Sequence, residues 1–421
     1  MSMHRSGPSA DRRAERPGEP SGPPLEHGDG FWRIRSDGAA RAVLHRRSPT
    51  AQAGFAAEMI PSRFLRSHPI LLSDGERHDA QRRAVGSLLA PGTIDAGHQD
   101  MLERTVERQL QEALDQTGGI DPLRAEIALD EVALLISVEV TRRIVGLTHA
   151  PLPEMAARLE RFMDQPPMDL TRPRWGRTRR QWAQAAVNGL GPLAAFWHHD
   201  VRPALRARRA ERRDDLISQL LDQGCSAADV LVECVTYATA GMITTREFMV
   251  VSAWHVLERP ALAARMRLGS REERFAILRE IIRLEPVVGH LLRRARAEVA
   301  LPASGDSADA AQAGCPAATA QAGELLDLCI RDTNTDPAVY GQDADCLRPS
   351  RDLPRGISPA GLSFGAGPHR CPGEHLALAE TDALLRALLR RSPVLVSPPD
   401  VDWEDLAAGY VLRGMRVELS R

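Results

Sequence analysis

Cys371 is the residue of this chain best placed to do chemistry. It stands in the run Phe364-Gly365-Ala366-Gly367-Pro368-His369-Arg370-Cys371-Pro372-Gly373, directly ahead of an amphipathic stretch from Glu374 to Arg391. Glycines permit positive φ and close approach to the backbone, and a proline just after the cysteine suits the opening of a helix. A cysteine there meets unpaired N–H groups and the positive end of a helix dipole. Both favour the thiolate, which is the form that binds metal. The competing reading is a small apolar residue buried at a helix start; the flanking glycines, Phe364 and His369 weigh against it. Three other groupings carry potential chemistry. His78 and Arg82 are four apart in a helical run and share a face that can meet an anion. Ala240-Gly241-Met242-Ile243-Thr244-Thr245 places small residues and two hydroxyls inside a long apolar segment, where a flat ligand can lie close. Glu280 and Arg283 are spaced i, i+3, as an intrahelical ion pair requires.

These residues need elements to position them, and the chain supplies mostly helical ones. Its 421 residues are 43% hydrophobic and 26% charged, and no run of eighteen apolar residues suggests a membrane span, so a soluble, cytoplasmic protein is expected. The net charge of -2 gives no reason to expect nucleic-acid binding, and every basic residue is arginine. Six cysteines without CxxC spacing fit a reduced compartment. Residues 1–29, rich in Pro, Gly, Ser and Arg, read as a disordered tail, and 30–421 as a single domain. Phe31 to Ile34 reads as a strand and Asp37 to His45 as a helix. Residues 46–68 read as a loop with apolar anchors, and Asp74 onward as a helix reaching Leu89. Met101 to Gln116 and Pro122 to Val145 read as long helices. Pro151 to Gly189 reads as an interruption. His198-His199-Asp200 reads as surface, because consecutive helical residues diverge by about 100°. Ala227 to Leu257 reads as a buried central helix, since Glu233, Arg246 and Glu247 puncture its apolar run. Val287 to Arg294 looks extended, 304–323 looks like a loose loop, and the C-terminal strands enclose a turn at Gly409-Tyr410.

The pattern Phe-Gly-x-Gly-x-His-x-Cys-x-Gly resembles the haem-binding loop of the cytochrome P-450 family, bacterial soluble haem-thiolate monooxygenases. The other groupings occur in that family's order, so the resemblance runs from about Phe31 to the C-terminus. It implies the cytochrome P-450 fold, mainly α with a smaller β region, and one haem b (iron protoporphyrin IX). Cys371 would be the metal ligand, a thiolate pushing electron density onto iron. Phe364, Gly365, Gly373 and Gly241 would shape the cofactor site, while His78, Arg82, Arg293 and His369 would meet propionates. Arg294 competes with Arg293 for its role. Glu280 and Arg283 would be structural. Thr244, with Thr245, would act catalytically. Phe55, Met59, Phe64, Phe162, Met163, Met242, Ile243, Val287, Val288, His290 and Tyr410 would line the substrate pocket.

The implied reaction is oxidation of a mid-sized hydrophobic or aromatic specialised metabolite with dioxygen and electrons from a ferredoxin and ferredoxin reductase. Arg82, Arg83, Arg386 and Arg390 offer a docking patch, and a monomer is expected. The sequence departs from the family at Ile243, which stands where an acid normally precedes the threonine. Three readings follow: water with Thr244 and Thr245 delivers protons, Glu247 substitutes, or the chemistry is oxidative coupling of aromatic rings, as on a cyclic dipeptide or aromatic peptide. A non-catalytic haem-thiolate sensor is the remaining alternative.

Overall fold

The computed structural model describes residues 11–13, 16, 19, 22–46, 49–54, 69–117, 123–302, 318–405 and 408–421. Phe55, Met59, Phe64 and Cys315 lie outside them. The chain forms two compact units, each from two separated stretches: Met1–Ala51 with Ser270–Arg370, and Gln52–Gly269 with Cys371–Arg421. The mainly α architecture with smaller sheets agrees with the sequence reading.

The first unit is built on a sheet of β1 (Leu25–Gly28), β2 (Phe31–Ile34), β3 (Thr50–Ala53), β4 (His290–Ala295) and β5 (Leu325–Cys329), ordered β1-β2-β5-β4-β3. Gly30, at φ 78°, makes the tight β1–β2 turn. β2 runs parallel to β5, while β4 is antiparallel to β5. The helix Asp37–His45 is started by Ser36, whose hydroxyl accepts from the Ala39 N–H. Its Ala39, Ala40, Val43 and Leu44 pack with Ile34, Leu326 and Leu328 in one apolar cluster. The sequence reading of residues 1–29 as a disordered tail requires correction, because Leu25–Gly28 is a strand. Earlier described residues are also held: Arg12 donates to the carbonyls of Leu284 and Arg331, and Glu19 lies 2.6 Å from His290 Nε2. Polar side chains anchor this segment where apolar periodicity is lacking.

In the second unit the helix Ala227–Leu257 is the longest element, opened by a capping box between Ser226 and Asp229. It is the one described helix long and apolar enough to cross a membrane, and its C-terminal half is buried within the protein. It packs along the helix Leu129–Val145, with Ser137 Oγ donating to the Met242 carbonyl at 3.0 Å. The expected helix from Pro122 is shortened at its start: Arg124–Ala128 is a strand, paired antiparallel with Arg416–Ser420. A partner some 290 residues away outweighs local helical preference there. The expected interruption at 151–189 is likewise overturned by the helices Leu152–Met163 and Arg179–Phe196, the second begun by a Thr178/Gln181 capping box. His198 and His199 are exposed as expected, whereas Asp200 is fully buried and bidentate with Arg158 at 2.8 Å.

Candidate active site

The cysteine loop straddles the unit boundary, which falls at the Arg370–Cys371 bond. On its first side Gly365 and Gly367 take φ of 68° and 65°, a region costly for any residue with a Cβ. A Cβ on Gly367 would stand 2.3 Å from the Leu44 carbonyl oxygen and 3.0 Å from His45 Cα, so only glycine lets the loop lie against the end of the first helix. Gly367→Ala is therefore expected to destabilise the protein by about 1–3 kcal/mol, read as a lowered urea midpoint at unchanged slope. Phe364 and His369 are half-buried, and His369 closes a single 3-10 turn with Gly367.

On its second side Cys371 is the one exposed cysteine among those described. It lies three residues before the helix Glu374–Arg390, whose N-cap is Gly373; a Cβ there would sit 3.8 Å from Cys371 Sγ. The other cysteines differ. Cys329 is buried in β5, where burial and Asp327 push its thiol up to about 11, against the opposing pull of His290. Burial also raises the Cys225, Cys234 and Cys346 thiols, which keeps them protonated.

His78 and Arg82 sit one turn apart on the helix Gly75–Leu89, His78 buried and Arg82 half-buried. On β4, Arg293 is buried, while Arg294 donates to the Gly323 carbonyl at 3.0 Å. Successive strand residues point to opposite faces, so the two arginines cannot share one role.

The central helix carries the next group. Thr244 is half-exposed and its Oγ1 donates back to the Ala240 carbonyl at 2.5 Å; Thr245 is buried. Gly241 requires a correction, because a Cβ there would lie 2.9 Å from Thr141 Oγ1. Its missing side chain serves helix-to-helix packing, and the bare methyl on this helix is that of Ala240. Met242 is fully buried and Ile243 nearly so. Glu247 accepts from Leu412 N at 2.9 Å, Arg413 at 2.8 Å and Arg246 at 3.0 Å. It ties the strand Gly409–Arg413 to the helix, which leaves it unsuited to replace the acid absent at 243. Tyr410, expected in a turn, is instead the second residue of that strand, buried with its ring centre 4.8 Å from that of Trp403. Phe162 meets Phe196 edge-on, and both it and Met163 are half-buried.

In the first unit Val287 is buried and Val288 half-buried. The His290 side chain is not free to face a substrate: Nδ1 lies 2.5 Å from Asp327 Oδ1, and Nε2 lies 2.6 Å from Glu19. Burial alone would lower this imidazole, but Asp327, with Cys329 and Glu19, outweighs it and holds the ring cationic well above its ordinary range. His290, Asp327 and Cys329 are close enough to hold a metal ion. Hydrogen bonds, with Arg33 on the second Asp327 oxygen at 3.2 Å, already account for the two charged members.

Glu233 entered the sequence reading only as a charge interrupting an apolar run, and Tyr237 escaped it. Glu233 is buried, and one oxygen accepts from Ile70 N at 3.0 Å and Gln81 Nε2 at 3.2 Å; its second oxygen and the Tyr237 hydroxyl are buried without partners. The available signal was spacing, since 233, 237 and 244 fall on one helical face. Within the second unit, an exposed Cys371, a bare Ala240 and an unpartnered Tyr237 hydroxyl fit a flat, apolar, thiolate-bound cofactor.

The family model described as Cytochrome P450 matches residues 275–407. Cytochrome P450 105C1 of a Streptomyces species is 27% identical over 369 residues, covering 86% of this chain and 82% of its own. The 20-oxo-5-O-mycaminosyltylactone 23-monooxygenase of Streptomyces fradiae is 27% identical over 44% of this chain and 39% of its own length. A solved structure of unusual cytochrome P450-like monooxygenases from microbial secondary metabolism superposes with TM-score 0.75 at 16% identity, covering 96% of this chain and 98% of that one. P450BioI in complex with an acyl carrier protein gives TM-score 0.72 at 18% identity, with 94% of each chain covered. Over residues 275–407 the chain matches the Cytochrome P450 family, and the relatives and solved structures it resembles are cytochromes P450.

Proposed function

We propose that this protein oxidises a mid-sized hydrophobic or aromatic specialised metabolite with dioxygen, and that Cys371 is the thiolate that would hold haem b. The observation that carries the reading is the exposure of Cys371 in its glycine-framed loop, while Cys234 and Cys329 are buried. Bound haem supplies the redox chemistry, with thiolate ligation favouring O–O cleavage. This chain's side chains then have assignable tasks. His78, Arg82, Arg293 and His369 hold propionates through charge-assisted hydrogen bonds. Arg293 is preferred to Arg294 because it is buried, whereas Arg294 lies half-exposed on the other face of the strand. Thr244 holds water or dioxygen-side hydrogen bonds, with Thr245 packed behind it. The substrate class is supported by relatives named as a 20-oxo-5-O-mycaminosyltylactone 23-monooxygenase and a mycinamicin VIII C21 methyl hydroxylase.

Electrons come from a ferredoxin and its reductase in this reading. Arg83 serves as a docking cation, beside Arg386 and Arg390, which lie 3.1 Å from Glu103 and 3.6 Å from Glu107 and are partly neutralised. Oxidative aromatic coupling is the second reading, favoured by Ile243 and by the commitment of Glu247 to Leu412 and Arg413. Reduction under carbon monoxide tests the central claim: the expected result is the red-shifted Soret band of thiolate ligation. Its absence from folded, haem-loaded protein would sink the reading. Isotopically labelled dioxygen separates the two chemistries, since label enters the product only on oxygen insertion.

A further inference from the structure

Ile243 leaves the central helix without an acid beside Thr244, and Glu247 is occupied elsewhere. The same helix nevertheless carries a buried acid. Glu233 lies one turn before Tyr237 and three turns before Thr244, on the face those residues share. Two of its surroundings are unusual. Its Oε1 is fixed by the Ile70 N–H and the Gln81 amide, whose own oxygen is held by the Ser73 hydroxyl. Its Oε2 is sealed from solvent with no partner, and so is the Tyr237 hydroxyl one turn on. A buried polar atom without a partner is costly, and two such atoms at i, i+4 mark a place where a bound group or water completes the bonding.

We infer that Tyr237, backed by Glu233, is a hydrogen-bond and proton donor to an oxygen-bearing ligand held on the Cys371 side of the central helix. The inference rests on the haem-thiolate reading given above. Four groups set the charge around the pair: Asp229 on the same helix, Arg77 and Arg82 on the helix Gly75–Leu89, and Cys371. Burial, with Asp229, pushes the Glu233 carboxyl up to about 7, against the Ile70 hydrogen bond and Arg77. Burial, Glu233 and Cys371 raise the Tyr237 phenol and Arg82 opposes them, so the phenol stays protonated and donates. The proton balance is simple. The phenol O–H proton passes to the ligand oxygen, the Glu233 carboxyl proton restores the phenol through a bridging water, and solvent later reprotonates Glu233. Because the carboxyl must be protonated, the relay operates below about pH 7 and fades as pH rises through that value.

The test uses the full-length, haem-loaded chain and carbon monoxide as the probe ligand. Wild-type protein must first show the red-shifted Soret band; if it does not, the haem-thiolate reading fails and not this one. The infrared C–O stretch of the carbonyl complex then reads any donor to the bound oxygen. Tyr237→Phe, which removes one hydroxyl and keeps the ring, is expected to shift that stretch to higher wavenumber. Glu233→Gln is expected to abolish its change between pH 6 and pH 8 and to remove a protonated-carboxyl band. An unchanged stretch in Tyr237→Phe, or a pH response that survives in Glu233→Gln, would overturn the inference while the Soret band keeps the parent reading intact. Should Glu233→Gln fold poorly, Tyr237→Phe alone decides.

Discussion

Cys371→Ser is expected to abolish the red-shifted Soret band of the reduced carbonyl complex and to drop turnover to background, while Cys329→Ser leaves the band in place. A serine hydroxyl stays protonated where a thiol ionises, so it cannot give iron the same charge donation. The control matters because Cys329 lies in a cluster with His290 and Asp327 that resembles a ligand set. Its thiol is held protonated by burial and Asp327, whereas Cys371 is exposed ahead of a seventeen-residue helix. Because Cys371 is exposed, the unloaded Cys371→Ser chain should change in stability by no more than about 0.5 kcal/mol. Circular dichroism and the urea midpoint check that loss of the band is loss of ligation, not of fold.

Arg283→Ala is expected to cost about 3–5 kcal/mol, enough to leave much of the protein unfolded at 37 °C. Arg283 is fully buried, and its guanidinium is bidentate to Glu280 with both contacts at 2.7 Å. The remaining donors reach the carbonyls of Asn334 at 2.6 Å and Ala344 at 2.7 Å. The cation also lies 5.0 Å from the Tyr340 ring centre. Truncation leaves a buried Glu280 carboxylate held only by the Arg348 N–H at 2.9 Å and by Arg351 at 3.5 Å, and strands two carbonyls. Arg283→Lys should recover little of this, because an ammonium cannot reproduce the planar fork. The measurement is the chemical denaturation midpoint together with the soluble yield at 37 °C. A midpoint shift below about 1 kcal/mol would show that the pair is dispensable.

The prominence of this pair was visible in the one-dimensional spacing, but its weight was not. Glu-x-x-Arg on an isolated helix contributes only tenths of a kcal/mol. It becomes expensive to break because Asn334 and Ala344 bring carbonyls from more than fifty residues downstream and exclude water. Glu247 makes the opposite point. Its place three residues after Thr244 invited a role in proton delivery, and the backbone N–H of Leu412, 165 residues away, claimed it. His290 is similar: extended spacing placed it beside Arg293, yet Asp327 on the antiparallel β5 and Glu19 of the N-terminal segment surround it with carboxylates.

By itself the amino-acid sequence determined the local features. These are the glycine-framed Cys371 loop, the i, i+4 placement of His78 and Arg82, the helical run from Ala227 to Leu257, and the order in which such groupings occur. Each depends on covalent spacing and backbone freedom, which a few adjacent residues settle. Tertiary structure alone decided which polar groups are spent and which are available. It gave Gly241 to the packing of Thr141, committed Glu247 and His290 to partners, and left Glu233 and Tyr237 buried with unused oxygens. Burial and long-range hydrogen bonding set the protonation state of a carboxyl, and neither is written in its nearest neighbours.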